Sequence, residues 1–253
     1  MISRNKIDII YHQTQAKMQA EGVRSNLGYV WWVLDPLLSL AIYYLLFKVL
    51  LNRGGEDYIS FLFIGLIAWR WFQMSITKGA SSISAKKNLY KRIYLPKYIF
   101  PFVEILYQTW KFVIVFTIIL IIYQFTGYPL NWNYIFLPLI IILQFIFITS
   151  IVLPISAIIP FIPDMNFLIS HVVRLLIYPS AVVFSIDMIP EKYHYIINLN
   201  PIALIINSYR DIVMYNKTPN FKWLSLVLVF SIIFTLFGLA LINRNDKKYA
   251  KLI

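Results

Sequence analysis

Residues 134–163 read YIFLPLIIILQFIFITSIVLPISAIIPFIP and contain no charged side chain. An α-helix rises about 1.5 Å per residue and the hydrocarbon core of a bilayer is about 30 Å thick, so roughly 20 such residues cross a membrane. Apolar runs in soluble cores are rarely this long, and a strand of a transmembrane barrel would alternate apolar and polar residues, which this segment does not. The segment predicts an all-helical integral membrane protein.

Similar apolar segments recur along the chain, in which 60% of residues are hydrophobic and 13% are charged. They predict a single transmembrane domain, residues 1–253, with six transmembrane helices. The predicted spans are residues 30–51, 59–77, 98–125, 134–159, 167–186 and 223–242.

Basic residues are concentrated on one side of these spans. Lys and Arg are abundant in residues 1–29, 78–97 and 243–253 and sparse in residues 52–58, 126–133 and 187–222. Because basic residues resist translocation, both termini are predicted to be cytosolic. The formal net charge of +12 is then mainly a topology signal; it predicts contact with anionic membrane lipids and does not indicate nucleic acid.

The sequence lacks the residues that most catalytic sites need. It contains no cysteine, three scattered histidines, no G-x-x-x-x-G-K-[ST] phosphate loop and no G-x-S-x-G motif. No catalytic residue, metal site or cofactor is predicted. A multi-span protein of this kind is most often a transporter, a channel or an assembly subunit.

Residues 1–23 are too polar to cross a membrane. Ile7, Ile10, Tyr11 and Met18 fall on one helical face, which predicts an amphipathic helix lying in the cytosolic headgroup region. The alternative, which is compatible with the first, is a helix packed on another cytosolic subunit. Residues 24–37, RSNLGYVWWVLDPL, then mark the point where the chain enters the bilayer.

Residues 84–97, SAKKNLYKRIYLPK, predict a short basic helix with an apolar edge, ended by Pro96. Two interpretations remain open: a solvated topology anchor beside anionic lipid, or a docking element for a cytosolic partner. The residues that would dock are Lys86, Lys87, Leu89, Tyr90, Lys91 and Arg92.

Residues 187–222 contain an apolar stretch that is too short to span and is broken by Pro201. This pattern predicts a re-entrant helical hairpin that either caps a conduit or lies at the interface without a gating role. Asn200 and Pro201 lie at its bend, and Tyr209 and Arg210 are expected where it meets water.

Charges inside the predicted spans are expensive and persist only when they are paired or face a cavity. Arg70, Glu104, Lys111 and Arg174 are the candidates. They are either inter-helix pairs or groups near the headgroups, or they line a polar pathway.

Aromatic residues are frequent at 17%. Tyr29, Trp32, Tyr43 and Phe47 recur at helical spacing, which suits sugar rings, lipid or plain packing. The candidate residues for a substrate channel are Tyr29, Trp31, Trp32, Tyr43, Phe47, Trp69, Arg70, Phe72 and Arg174.

Four segments carry a resemblance to a known family: LGYVWWVLDPLL from residue 27, FLFIGLIAWRWF from residue 61, KKNLYKRIYLPKYIFP from residue 86 and NPIALIINSYR from residue 200. Their order and spacing resemble the membrane subunit of type-two ABC exporters, specifically the polysaccharide exporters of the O-antigen and teichoic-acid kind, over essentially the whole chain. The resemblance implies a homodimer with two separate ATP-binding subunits that exports an undecaprenyl-linked glycan across the bacterial inner membrane. It also implies that residues 84–97 form a coupling helix and residues 200–215 an external gate.

The predicted function is therefore export of a lipid-linked polysaccharide, driven by ATP hydrolysis in a partner. Arg4, Lys6 and Arg24 are candidate guides for the lipid pyrophosphate. The alternatives are a drug or small-lipid exporter of the same fold and a membrane-embedded glycan-modifying enzyme, which would need positioned carboxylates or histidines.

Overall fold

The computed structural model describes residues 4–24, 27–52, 57–86, 95–184 and 190–249, and these residues form helices and turns without any strand. The helices are α1 (Arg4–Arg24), α2 (Trp31–Tyr44), α3 (Tyr58–Ala80), α4 (Ser82–Ala85), α5 (Ile99–Phe125), α6 (Leu137–Ile158), α7 (Met165–Leu175), α8 (His194–Asn198), α9 (Pro201–Val213) and α10 (Phe221–Tyr249). Helix α2 follows the 3₁₀ turn Gly28–Val30 and continues as the π-helix Leu45–Leu50. Further 3₁₀ turns are Trp132–Phe136, Tyr178–Ser180 and Glu191–Tyr193.

Among the described residues, five helical segments are long and apolar enough to cross a membrane. They are Gly28–Leu50, Tyr58–Ala80, Ile99–Phe125, Trp132–Ile158 and Phe221–Tyr249. Each coincides with a span predicted from the sequence, and the boundaries differ by a few residues. The all-helical membrane architecture is confirmed.

The predicted fifth span, residues 167–186, is not one continuous helix. Helix α7 has only 11 residues, and the 3₁₀ turn Tyr178–Ser180 follows it. Pro179 lies in that turn, and Ala181 adopts a left-handed conformation with φ of 51°. A proline lacks the backbone N–H that a helix needs, and a residue in the left-handed conformation cannot be part of a right-handed helix. The helix therefore cannot continue here.

One end of the bundle, called the α1 end, collects the start of α1 and the ends of several spans. Ile10, Ile83, Ile99, Ala157 and Tyr249 belong to a single buried cluster there. The Tyr249 hydroxyl donates a hydrogen bond to the Ala157 carbonyl at 3.1 Å. Both described termini of the chain therefore lie at the same end of the bundle.

The other end, called the hairpin end, carries helices α8 and α9. The Tyr58 hydroxyl donates to the Val183 carbonyl at 2.7 Å, and the Asn131 amide donates to the Ile212 carbonyl at 3.1 Å. Phe221, the first residue of α10, stacks edge-on against Phe136. The chain thus runs from the α1 end at the close of α6 to the hairpin end at Val183, and α7 lies on that path.

Helices α6 and α10 pack tightly against each other, and a glycine makes the approach possible. A Cβ atom built at Gly238 would lie 2.8 Å from the backbone nitrogen of Pro154 and 2.7 Å from Leu153 Cβ. A larger residue could not fit without moving the backbone of α6.

Candidate functional site

Four ion pairs lie on the α1 side of the bundle. The buried Lys97, just before α5, pairs with Asp246 of α10 at 3.6 Å, and three further pairs connect α1, α2, α3 and α5. Lys17 pairs with Glu104 and Arg70 pairs with Asp35, while Lys111 Nζ donates to Glu21 Oε1 at 3.0 Å. The pairs join α1 to α5, α2 to α3 and α1 to α5 again. The interpretation of Arg70, Glu104 and Lys111 as inter-helix pairs is therefore confirmed. Their partners Asp35 and Glu21 were not identified from the sequence, because they lie far from these residues along the chain.

Helix α1 packs along the first half of α5, and Ile10 and Met18 of the predicted apolar face contact the protein. Ile10 and Thr14 are buried, whereas Ile7 and Tyr11 are about half exposed. Thr14 can be buried because its hydroxyl donates to the Ile10 carbonyl at 2.7 Å. The predicted helix is present, and its location in the headgroup region or against another cytosolic subunit stays a prediction, since Ile7 and Tyr11 are exposed on this subunit.

A pocket of about 180 Å³ lies between α1, α2, α3 and α5. Its charged lining comes from two of the ion pairs, Glu21 with Lys111 and Asp35 with Arg70. The Lys111 ammonium lies 5.1 Å from the centre of the Trp32 ring, within the range of a cation–π contact. The pocket therefore combines both signs of charge with aromatic surface.

The predicted channel aromatics fall into two groups. Trp69 and Phe72 are buried, and Phe72 stacks on Phe147 at 5.8 Å between ring centres, as the packing interpretation requires. Trp32 is also buried, and Tyr43 and Phe47 pack against the core. Tyr29, which donates to the Met18 carbonyl, and Trp31 remain about half exposed. Tyr29 and Trp31 are therefore accessible on the surface of this subunit, whereas Trp69 and Phe72 are enclosed by its core.

Arg210 is the most completely enclosed charge in the described structure at 1% exposure. Its Nε donates to the Phe61 carbonyl at 3.1 Å, Nη1 to the Ala181 carbonyl at 2.6 Å and Nη2 to the Val182 carbonyl at 2.9 Å. The guanidinium also lies 3.4 Å above the centre of the Phe61 ring. Burial lowers the pKa of Arg210 to about 9, so the side chain is still charged at neutral pH.

The expectation that Tyr209 and Arg210 lie where the hairpin meets water is wrong, because both side chains are buried. The physical reason is the broken helix after α7. The turn at Ala181 leaves backbone carbonyls without helical partners, and Arg210 and Tyr58 donate to three of them. Tyr209 instead packs its ring against Phe116 at 5.3 Å.

Asn200 and Pro201, predicted to lie at the bend of the hairpin, form the start of α9. The Asn200 side-chain oxygen accepts from the Ile202 backbone N–H at 3.1 Å, and Pro201 occupies the first helical turn. The Asn200 amide donates to the Pro179 carbonyl at 3.0 Å, which ties α9 to the turn after α7. Arg174 lies on the exposed face of α7.

Several predicted residues cannot be placed. Lys87, Leu89, Tyr90, Lys91 and Arg92 lie outside the described residues, as do the side chains of Arg4 and Arg24. Lys86 is exposed at the end of the described segment that precedes them, and Lys6 is partly exposed on α1.

The chain is similar to known transport proteins along most of its length. Residues 16–214 match the family model described as ABC-2 type transporter. The O-antigen export system permease protein RfbA of Klebsiella pneumoniae is 30% identical over 247 residues, which cover 97% of this chain and 95% of that protein. A protein of the same name from Myxococcus xanthus is 23% identical over 241 residues, covering 94% of this chain and 93% of that protein. The polysialic acid transport protein KpsM of Escherichia coli is 24% identical over 225 residues, covering 88% of this chain and 87% of that protein.

Proposed function

The chain belongs to the ABC-2 type transporter family, and on this premise we propose that it is the membrane subunit of an ATP-driven exporter of lipid-linked polysaccharide. The observation that carries the proposal is the match over nearly the full length to permeases named for O-antigen export. Relatives named for transport of polysialic acid, a different polysaccharide, support the same class of cargo.

ATP hydrolysis takes place in a separate cytosolic subunit. The family assignment implies this division, and the sequence contains no phosphate loop of its own. Two copies of the ATP-binding subunit receive residues 84–97 as a coupling helix. Helix α1 lies next to this region, because Ile83 and Ile10 belong to the same buried cluster.

The subunit crosses the bacterial inner membrane six times and has both termini in the cytosol. Five crossings are the long apolar helices. The sixth consists of α7 and the turn after it, since the chain must pass from the α1 end at Ala157 to the hairpin end at Val183. The excess of basic residues in segments at the α1 end supports a cytosolic location for that end.

Two copies of the subunit enclose the channel. His171 and Arg174 lie on the exposed face of α7, together with Phe167 and Leu175. Because an arginine in a membrane crossing is unstable against lipid, this face is expected to border a water-filled space between two copies. Aromatic residues beside such a space can stack on sugar rings, and Tyr29 and Trp31 are available for this.

The α8–α9 hairpin acts as the external gate. Its anchor is the contact of Arg210 with the carbonyls of Ala181 and Val182, and the Asn200 contact with Pro179 holds its other end. At the opposite side, Arg4, Lys6 and Arg24 guide the pyrophosphate of the lipid carrier towards the channel.

The proposal is tested by deleting the gene in its host and restoring it with the wild-type permease, in the presence of either the active partner ATPase or a hydrolysis-deficient one. The tagged permease is expected to co-purify with the ATPase in both backgrounds. Without the permease, or with the inactive ATPase, lipid-linked polymer should accumulate on the cytosolic side and surface polysaccharide should disappear. Normal surface polysaccharide in the deletion strain would contradict the glycan assignment even if the ATPase still binds.

A further inference from the structure

A buried ion pair lies between the last residue of segment 84–97 and the end of α10. Lys97 Nζ lies 3.6 Å from Asp246 Oδ1, and the two side chains are 3% and 16% exposed. Lys97 also donates to the Leu95 carbonyl at 3.1 Å. Within the described part of the chain, Lys97 and Arg210 are the only charged residues that are buried. The charge of Lys97 is therefore held out of water by specific partners.

Neither charge of this pair stabilises the helix that carries it. Lys97 lies two residues before the start of α5, where the positive end of the helix dipole disfavours a cation. Asp246 lies in the last turn of α10, where the negative end of the dipole disfavours an anion. Each charge is favourable only towards the other charge and the other helix end. The pair is therefore explained by the contact between the two helix ends and not by the stability of either helix.

A buried pair of this kind is better suited to fixing a position than to stabilising the fold. Loss of hydration offsets much of the attraction between two buried charges. Apolar side chains of similar volume often hold the same elements together equally well or better. Such side chains can pack in several relative positions, whereas an ammonium group and a carboxylate must meet at one place.

The other flank of the segment rests on the same buried cluster. Ile83 of α4 is completely buried and belongs to the cluster that also contains Ile99, Ile242 and Tyr249. The described residues on both sides of positions 87–94 are therefore anchored in one group that includes the end of α10. A force applied to this segment by a partner would act directly on α10.

Helix α10 is long enough to carry a displacement to the opposite end of the bundle. Its 29 residues span about 44 Å at 1.5 Å per residue. The Tyr249 hydroxyl ties its last turn to Ala157 at the end of α6, and Gly238 allows the two helices to pack tightly. At the hairpin end, Phe221 of its first turn stacks against Phe136. Helices α6 and α10 thus form a connected pair that reaches from segment 84–97 to the hairpin end.

On the proposed function, in which residues 84–97 receive the partner ATPase, we propose that Lys97 and Asp246 position this segment on α10. Movement of the segment then passes through α10 and α6 to the hairpin end. Both residues are positioning residues, which act through α10 and not on the nucleotide or the cargo.

The first test separates position from stability. It uses the permease–ATPase complex purified and reconstituted in liposomes with lipid-linked polysaccharide from the host. The variant K97M/D246L replaces the pair with apolar side chains and should keep the wild-type thermal midpoint or exceed it. Its export per ATP hydrolysed should nevertheless fall about tenfold, within the roughly 5- to 150-fold range of coupling between sites.

Two further variants complete this comparison. The swap K97D/D246K restores the pair and places each charge at a helix end that favours it, so export per ATP should return towards the wild-type value. The matched control is K247M, which removes an exposed cation from the same turn of α10 and should leave export unchanged.

A second test follows the movement of α10 without measuring cargo. Because the natural chain contains no cysteine, K222C carries a single thiol, at an exposed position in the first turn of α10. A fluorescent label on this thiol should change its emission when ATP binds to the complex. The change should be lost in K97M/D246L and should return in K97D/D246K.

The outcomes distinguish this proposal from the assignment of the cargo. A label response that depends on the ion pair supports the proposal even if no polysaccharide is exported, which would contradict the glycan assignment alone. Export per ATP and a label response at wild-type levels in K97M/D246L would overturn the proposal, because the pair would then only hold two helix ends together. An unfolded K97M/D246L would also overturn it, since the pair would be needed for stability. If the wild-type permease does not bind the ATPase, the proposed function fails and this proposal fails with it.

Discussion

The ion pairs around α1 and the arginine at the hairpin end hold their cations in different ways. At the α1 end, Lys17, Arg70 and Lys111 each meet a carboxylate of another helix, and the members of these pairs remain partly exposed. At the hairpin end, Arg210 is buried, and its described hydrogen bonds run mainly to backbone carbonyls.

Because of this difference, the ion pairs around α1 can open readily, whereas the hydrogen bonds of Arg210 cannot. A partly exposed ion pair contributes about 0–1 kcal/mol, because water competes for both members. Carbonyls that lose a buried donor have no water to replace it, so each costs about 1–3 kcal/mol. Helix α1, held by such pairs, is therefore suited to movement with a partner, whereas the hairpin end is held by a contact that must be retained or broken as a unit.

The largest effect is expected at Arg210. The substitution R210M keeps most of the side-chain volume but leaves the carbonyls of Ala181 and Val182 without their donor, and it removes the additional donor to Phe61, whose carbonyl lies inside α3. The expected loss is at least about 3 kcal/mol of unfolding free energy, seen as a large drop in thermal midpoint and in the amount of folded protein in detergent.

The control for this substitution is R174M, at an exposed residue of α7, which should leave the thermal midpoint nearly unchanged. R210K keeps the charge but not the planar fork, so its midpoint should lie between those of wild type and R210M. If R210M unfolds at the wild-type temperature, the carbonyl contacts do not stabilise the hairpin end.

The next effect is expected at Gly65, which faces the same guanidinium. A Cβ atom at this position would lie 2.3 Å from Arg210 Nη2 and 3.1 Å from the Val182 carbonyl oxygen. G65A should therefore displace Arg210 and cost about 2 kcal/mol. In an R210M background the same change should cost less than about 1 kcal/mol, because the displaced group has gone. Additive costs in the thermal midpoints of the two singles and the double would show that Gly65 acts independently of Arg210.

The sequence allowed the five long spans to be predicted, because each is an apolar run with a recognisable start and end. The break within the predicted span at residues 167–186 could not be predicted, because the composition around Pro179 is apolar throughout and a left-handed residue such as Ala181 carries no signal in hydropathy. The location of Arg210 depends on that same break. The carbonyls of Ala181 and Val182 can accept from it only because the helix ends before them, so missing this break led to a wrong predicted environment for the arginine.

The charged pocket was predictable in part. Arg70, Glu104 and Lys111 were identified because charges inside apolar runs need partners, but the sequence does not say which helices become neighbours. Asp35 is the only acidic residue within Gly28–Leu50, and this is a signal that could have paired it with a cation of another span. Glu21 carries no comparable signal, because it lies in a polar helix.

A smaller effect is expected at the ion pair of Glu21 and Lys111. K111M should cost about 1 kcal/mol, since it leaves the partly buried Glu21 carboxylate unpaired, and E21Q should cost a similar amount. In E21Q/K111M the two costs should not add, with a coupling of about 0.5 kcal/mol. Thermal midpoints of the four proteins in one detergent measure this cycle. Strict additivity would mean that the pair does not hold α1 on α5, and the contrast with Arg210 would then rest on burial alone.

The smallest effect is expected from salt, which should distinguish the two ends of the bundle without any substitution. Salt shortens the screening length from about 10 Å at 0.1 M to about 3 Å at 1 M, and it acts mainly on charges that water can reach. Raising sodium chloride over this range should speed hydrogen exchange of α1 backbone amides about twofold, because it weakens the pairs of Lys17 and Lys111 by a few tenths of a kcal/mol. Exchange in α9 should not change, since Arg210 is sealed from solvent. The variant E21Q/K111M is the internal control, because its α1 should show a smaller response to salt than the wild type. Equal acceleration in α1 and α9 would mean that both ends open through the same motion, and the division into a movable end and a fixed end would be wrong.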